Sequence, residues 1–578
     1  MKSLLTYLKD YKKESILAPL FKMLEASFEL FIPLVMAAII DVGIAGGDNR
    51  YVVKMCLVMV ALGIIGLICS VTAQFYAAKA ATGFATELRH ALFSHIQSFS
   101  YTEIDKFGTS TLITRMTSDI NQVQTGVNLV LRLFMRSPFI VVGAMIMAFT
   151  VDKKGAMVFV VAIPLLSLIV FGIMLWTIPL YRKVQENLDK VLLTTRENLT
   201  GIRVIRAFNK EKEEQKRFEE SNQSLTKAQK FVGRISGLMN PMTYIVVNGS
   251  IILLIYIGAV RVETGILTQG EVVALINYMS QILVELLKLA NLIVSMTKAI
   301  ACGNRIAAIL KEQSSMKSGT ENWEIEEDAF EVEFDHVSLT YQGAGEPSLS
   351  DLTFAVRPGE TIGIIGGTGS GKSSLVNLIP RFYDATKGEV RIAGRPVKNY
   401  DLKELRKKIG IVPQKAVLFK GTIEENLKWG LEDATEEEMA KALEISQAKE
   451  FVEAKEYKLQ TQVEQGGKNL SGGQRQRLTI ARALVKQPEI LILDDSASAL
   501  DFATDAKLRR AIETMEKKPT LFIVSQRAAS LMHANQIFVL DDGEIVGKGT
   551  HEELLGTCKT YQEIYYSQFP KEETEDEK

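Results

Sequence analysis

Cysteine is nearly absent from this 578-residue chain, and the four present rule against two chemistries. Cys56, Cys69, Cys302 and Cys558 have neither metal-ligand nor redox spacing, so a disulfide framework is not expected. Cys56 and Cys69 sit inside an apolar run, where cysteine serves as a small buried hydrophobe. Net charge is also lacking: 67 Lys and Arg face 68 Asp and Glu, which points to no polyanionic partner and no nucleic acid. The start, Met-Lys-Ser-Leu-Leu-Thr-Tyr-Leu-Lys-Asp-Tyr-Lys-Lys, has no apolar core or cleavage site close behind it and is not a secretory signal. What the chain does have is a sharp asymmetry. Before residue 300 long apolar tracts alternate with short charged ones, and after 325 the composition is that of a soluble α/β domain. At this length two or three domains are expected.

A spanning helix needs about 20 mostly apolar residues. No charge occurs between Lys54 and Lys79, Lys154 and Arg182, or Arg234 and Arg261, giving three strong spans. Stretches near 15–40, 126–150 and 271–297 contain charges and complete a set of six. The loops near 41–51, 151–155 and 261–270 are short. Those near 80–125 and 182–233 are long, helix-patterned and rich in Lys and Arg, which places them on the cytoplasmic side. Asp152-Lys-Lys154 on the outer side is a small breach of that rule. Leu4, Leu5, Leu8 and Tyr11 share one helical face, as expected of an interfacial helix over 1–14.

Charges inside the spans cost several kcal/mol in hydrocarbon and carry a functional expectation. Glu25 and Glu29 stand i,i+4 on one face of the first span, Arg132 and Arg136 lie in the third, and Glu285 and Lys288 in the sixth. Two readings stay open: that these residues line a cavity for cationic, amphipathic cargo, or that the acids pair with Arg132, Arg136 or Lys288 for folding.

Beyond a polar stretch at 311–328, residues 330–341 alternate as a half-buried strand. Ile362–Ile365 reads as a buried strand feeding Gly366-Gly-Thr368-Gly369-Ser370-Gly371-Lys372-Ser373, with Ser374 opening a helix. This is the phosphate-cradling pattern G-x-x-x-x-G-K-[ST]. Its glycines turn backbone N–H groups toward the α- and β-phosphates, Lys372 reaches the β- and γ-phosphates of ATP, and Ser373 ligates Mg²⁺. Later come Leu470-Ser471-Gly472-Gly473-Gln474 and the apolar strand Ile490-Leu-Ile-Leu-Asp494.

Taken in that order, these motifs resemble the ATP-binding cassette (ABC) family. The resemblance implies an α-helical six-span transmembrane domain followed by an α/β ABC-type P-loop nucleotide-binding domain. It divides the chain into an interfacial helix at 1–14, a transmembrane domain at 15–310, a linker at 311–328, a nucleotide-binding domain at 329–568 and a charged tail at 569–578. It places Tyr341 against adenine, Gln414 near Mg²⁺ or the attacking water, and Asp494 on Mg²⁺. Ser471, Gly472, Gly473 and Gln474 would face ATP held by an opposite subunit, because two cassettes sandwich two nucleotides. The loops 80–125 and 182–233 resemble exporter extensions whose tips, near 102–110 and 207–214, dock short helices on nucleotide-binding domains. Glu464, in the loop before the signature, would contact the opposing subunit, and Ser498–Asp501 matches the loop that crosses the dimer interface.

Two positions depart from the family. Rapidly hydrolysing members carry Glu after the Mg²⁺-liganding Asp and His in the switch; here stand Asp495 and Gln526. Asp495 is shorter by about one carbon–carbon bond, ~1.5 Å, and Gln526 carries no imidazolium charge. The expectation is a membrane-bound ATP-hydrolysing translocase whose own site is slow, in a bacterial plasma membrane, working as a heterodimer that exports amphipathic drugs, lipids or peptides. Two alternatives remain: an exporter-fold importer of metal-chelating molecules, and a nucleotide-gated regulatory or channel protein.

Overall fold

The computed structural model describes residues 2–324, 329–496 and 499–569. The expected tail from Pro570 onward, part of the linker (325–328), and Ser498 of the interface-crossing loop lie outside the described residues. The chain divides into two compact units. One comprises Met1–Gln97 and Ser110–Glu312, the other Ser98–Thr109 and Gln313–Lys578.

The first unit holds six helices long and apolar enough to cross a membrane: Ser3–Ile44, Asn49–Gln97, Thr109–Val151, Lys153–Thr200, Glu211–Glu263 and Gln269–Lys311. Large apolar side chains such as Leu67, Leu168, Ile245 and Tyr256 point outward, as a lipid-facing surface requires. Inside, Ala73, Ala77, Ala80, Ala81 and Ala85 form a fully buried stripe on the second helix, and their small size lets neighbouring backbones approach. The three short loops gather at one end. Asp41 accepts bonds from the Thr268 hydroxyl and the Gly270 N–H, and Asp152 pairs with Arg261 at 2.7 Å. Asp152, beside the two lysines of that breach, is thus committed to Arg261.

The third long helix is interrupted at Phe134–Met135 and resumes at Arg136. Pro138 supplies the reason: it has no N–H to give the carbonyl four residues back, and its ring crowds that carbonyl. The extension after the fourth span ends at Gly201. A short helix follows at Ile202–Ala207, ahead of the expected 207–214, because Asn209 turns with φ 53° and the next helix starts at Glu211 with an acidic first turn. The first tip is the helix Tyr101–Phe107, closed by Gly108 at φ 74°.

The second unit contains a four-stranded antiparallel sheet and a six-stranded one. The larger runs Glu544–Gly549, Gln536–Asp541, Thr361–Gly366, Thr520–Val524, Ile490–Asp494, Ile409–Val412, all parallel except the first. Its central strands are buried throughout, which is why they read as unbroken Val, Ile and Leu. Part of the expected linker is ordered: Gly319, Thr320 and Glu321 donate to the Asn399 and Tyr400 carbonyls, and Trp323 packs on Tyr400.

Glu331 enters the first strand of this unit only 3% exposed, and its Oε1 has no partner among the described residues. Burial, helped by repulsion from Glu489 and opposed by Lys517, pushes its carboxyl up to about 7. The folded state therefore binds the Glu331 proton more tightly than the unfolded state. Stability is retained below about pH 4.5 and lost as pH rises through about 7, by about 3 kcal/mol. Glu331→Gln should raise the unfolding midpoint of the full chain near pH 8 and leave it unchanged near pH 5. Equal midpoints at both pH values would refute this assignment.

Candidate functional site

The carboxyl ends of the central parallel strands lie within about two residues of one another along the sheet. Val524 pairs with Ile364 on one side and with Asp494 on the other, and Val412 pairs with Leu493. Ligands of open α/β sheets bind beyond the carboxyl ends of the strands. Here those ends deliver the Gly-rich loop, Gln414, Asp494–Asp495 and Ser525–Gln526 to one edge. Thr368, Gly369, Gly371, Lys372, Ser373, Ser374, Gln414, Asp494, Asp495 and Gln526 line one cavity of about 240 Å³, together with Ser348, Val524 and Ser525.

Within it Lys372 Nζ donates to the carbonyls of Gly366 and Gly367, curling over its own loop. Ser370, 4% exposed, holds its hydroxyl 3.4 Å from the same nitrogen. Burial lowers the Lys372 pKa, against the attraction of Asp495 and Asp494. Ser373 Oγ donates to Asp494 Oδ1 at 3.1 Å. Burial raises the Asp494 pKa; the Ser373 bond opposes this and Asp495 reinforces it. Gln414 Nε2 reaches Asp495 Oδ2 at 3.4 Å, and Asp495 itself turns with φ 46°, a conformation Asp tolerates better than most residues.

These residues fit a nucleotide and a hard cation. Gly371 has φ 94°, and a Cβ there would sit 2.7 Å from the Ser348 carbonyl, so the loop closes only with glycine. The Ser373 hydroxyl and the Asp494 carboxylate converge as oxygen ligands of the kind Mg²⁺ takes.

Tyr341 lies beside the cavity, with its hydroxyl donating to Ser374 Oγ at 2.9 Å. Its ring meets Tyr383 edge-on at 5.0 Å. Tyr383 donates to Asp105 at 2.6 Å, and Tyr101 packs against Phe382 at 4.6 Å. An unbroken chain of contacts therefore runs from the Gly-rich loop to the helix Tyr101–Phe107. Glu103 anchors that helix, accepting from Ser100 and from the Ser315 N–H.

The signature is built differently. Ser471 caps the helix Gly472–Leu484 in a reciprocal box with Gln474. None of Ser471, Gly472, Gly473 and Gln474 lines the cavity. Gly472 has no positive φ and nothing within 4 Å of an added Cβ, so no packing within the chain requires a glycine there. Glu464 is exposed, and its N–H donates to Asn469.

Sequence reasoning missed three contributors. Ser348 and Ser525 line the cavity without belonging to a recognisable motif. Gln568, on the last described helix, donates to the Gln526 carbonyl at 2.8 Å and accepts from the Ala528 N–H at 2.9 Å. It lies 42 residues from Gln526, and no local signal marks it.

In the membrane unit the acids are paired. Arg136, 7% exposed, bonds Glu285 Oε1 at 2.7 Å and Glu29 Oε2 at 2.6 Å, and lies 4.0 Å from Glu25. Glu285 also accepts from Ser137 and Lys288, and Glu25 from Lys22. Arg132 stands apart from this network, with its Nε buried and unpartnered.

Comparison with known proteins follows the same division of the chain. The family described as "ABC transporter transmembrane region" matches residues 15–286, and that described as "ABC transporter" matches 349–498. The chain is 38% identical over 576 residues to the "Uncharacterized ABC transporter ATP-binding protein YfiB" of Bacillus subtilis, covering 100% of both chains. It is 31% identical over 580 residues to the "Putative multidrug export ATP-binding/permease protein YgaD" of the same organism, covering 98% of each. In fold it resembles a bacterial Atm1-family ABC exporter solved with ATP bound. That match has a TM-score of 0.79 and 22% identity, covering 98% of this chain and 99% of the other.

Truncating Gln568 to Ala strips the Ala528 N–H, in a fully buried residue, of its acceptor. Gln568→Ala should destabilise the cytoplasmic unit by about 1–3 kcal/mol in denaturant titration of the full chain. No change would mean that the bond is incidental.

Proposed function

The chain belongs to the ABC transporter family, and from that premise we propose that it is the degenerate-site half of a heterodimeric ATP-driven exporter of amphipathic molecules. It lies in the plasma membrane with six spans and a cytoplasmic ATPase unit. One observation carries the pairing. The capped signature helix stands outside the cavity holding Lys372, Asp494 and Gln526, and its Gly472 faces open space. A helix N-terminus carries roughly +0.5 elementary charge and suits a γ-phosphate, here one presented by a second subunit. Export as the direction draws support from the likeness to a relative whose name describes multidrug export.

Within its own cavity, Lys372 exchanges its loop carbonyls for phosphate oxygens, and the loop N–H groups complete the cradle. Ser373 and Asp494 hold the cation. Mg²⁺ held by these two residues would supply positive charge that offsets that of the phosphates. Asp495 is the group placed to accept a proton from the attacking water, with Gln414 steadying its carboxylate and Gln526 facing the γ-phosphate. Both Asp495 and Gln526 fall short of the family's Glu and His. A base in place contributes about 10²–10⁴-fold, and displacements of ~1 Å erode that sharply. Nucleotide is therefore bound and turned over slowly here, while Ser471 and Gly473 complete a faster site on a partner that supplies Glu and His. A homodimer would have two slow sites.

Transmission runs through the contacts between the Gly-rich loop and the first intracellular helix. Tyr341, against adenine, presses on Tyr383, which holds Asp105. The second short helix, with Val204 and Phe208 exposed, is the counterpart that docks on the partner.

Two results test this reading. Asp495→Glu in the purified chain alone should raise ATP turnover by about tenfold or more, a fraction of a full general-base contribution because Gln526 is unchanged. A wild-type homodimer that already hydrolyses briskly and pumps would refute the degenerate-site pairing. In the complex, Tyr383→Phe keeps the ring and removes the bond to Asp105. It should leave ATP affinity unchanged and abolish stimulation of hydrolysis by cargo. Retained stimulation would exclude this path of transmission.

A further inference from the structure

The membrane unit contains a cavity of about 450 Å³ between the first and sixth spans. Ile32, Pro33, Met36 and Val284 give it an apolar wall; Asn277, Ser280 and Gln281 make a polar ridge. Its charged lining comes from Glu29, Glu285 and Lys288. Behind that lining, the ion-pair network balances: Lys22, Arg136 and Lys288 oppose Glu25, Glu29 and Glu285. A cargo of one net charge would therefore enter a site already neutral and bring an uncompensated charge out of water, at a cost of several kcal/mol.

Of the three charged lining residues, Glu285 is nearly buried, and Glu29 and Lys288 present most of the exposed charge. The side chains of Glu29 and Lys288 are 35% and 43% exposed, against 17% or less for the other four. Glu29 uses Oε2 for Arg136, and its Oε1 has no partner among the described residues. Lys288 gives one of its three protons to Glu285 Oε1 and has the others to spare. A wall with one available carboxylate oxygen and one available ammonium matches a head group that carries both charges.

We propose that this cavity binds zwitterionic amphiphiles, their cationic group on Glu29, their anionic group on Lys288 and their chain along Ile32, Pro33 and Met36. The proposal rests on the exporter reading above, and it differs from one of the two readings left open by the sequence, a cationic cargo held by Glu25 and Glu29. Glu25 is turned away from the cavity toward Lys22 and Arg136. The lining that discriminates is then Glu29 together with Lys288.

The test uses the full chain in lipid nanodiscs without nucleotide, with empty discs as the partition control. Three radiolabelled probes share one alkyl chain and differ in head group: phosphocholine, trimethylammonium and sulfate. The phosphocholine probe should bind saturably, at least about tenfold tighter than either singly charged probe. Lys288→Gln should shift the preference to trimethylammonium, and Glu29→Gln to sulfate, with ATP binding retained in both as the check on folding. Tighter binding of trimethylammonium by the wild type, or a preference that neither variant alters, overturns the zwitterion assignment while leaving the exporter reading intact. Absence of saturable binding by all three probes refutes the amphiphile cargo itself, and this proposal with it. Free phosphocholine distinguishes sources: full competition marks a soluble zwitterion as cargo, and weak competition marks a lipid-like one.

Discussion

The hydrogen-bond register of the parallel strands is the constraint on which the nucleotide site depends. Val524 is paired with Ile364 and Asp494 at once, so two strands end level there, the strand ending at Val412 stops one residue short, and Thr361–Gly366 runs two residues further into the Gly-rich loop. A slip of one residue would turn Asp494 to the opposite face of the sheet and bury a carboxylate among Ile and Leu. The near-complete burial of these strands on both faces makes such a slip costly. The same packing that stabilises the core thereby fixes where Lys372, Gln414, Asp494 and Gln526 meet. Charge is tolerated at this edge because each group has something to hold: Lys372 its loop carbonyls, Asp494 the Ser373 hydroxyl, Asp495 the Gln414 amide.

An analogous constraint governs the membrane half, where the cost of charge in hydrocarbon replaces strand register. Arg136 can sit at 7% exposure only because three carboxylates surround it. The backbone contributes as well. Pro138 interrupts the third helix just before Arg136 and Ser137, and both side chains then reach Glu285. A polar network that ties the first, third and sixth spans together also specifies how they pack. Removing one member would strand another buried charge, the larger penalty in such networks.

Sequence patterns carried the elements whose physics is local. Six apolar stretches, the Gly-rich loop, the Leu470–Gln474 signature and a strand ending at Asp494 all announce themselves within short windows of sequence. What stayed hidden depends on pairing across distance. Glu25, Glu29 and Glu285 read equally well as a cargo surface or as ion-pair partners, because spacing along a helix does not say what faces it. Gln568 carries no motif, and its importance lies only in the two backbone groups it bridges. The second loop tip was displaced toward Gly201 because a helix break there, and the turn at Asn209, outweighed the charged run that followed.

The signature helix shows how one residue can serve its own chain and a neighbour together. Ser471 Oγ accepts from the Gln474 N–H, and the Gln474 side chain accepts from the Ser471 N–H. That exchange satisfies two backbone donors that a helix start would otherwise leave open. It occupies the hydroxyl as an acceptor, yet leaves its proton free. A serine cap therefore keeps a donor directed away from the helix, where the macrodipole already favours an anion. Asp at this position would cap as well but place a negative charge toward a phosphate. Asn would cap through its carbonyl and move its donors to a longer arm. Beside it, Gly472 removes the side chain that would keep an anion at a distance. None of this serves the chain's own cavity, which is why the pairing proposed above assigns it to a second subunit.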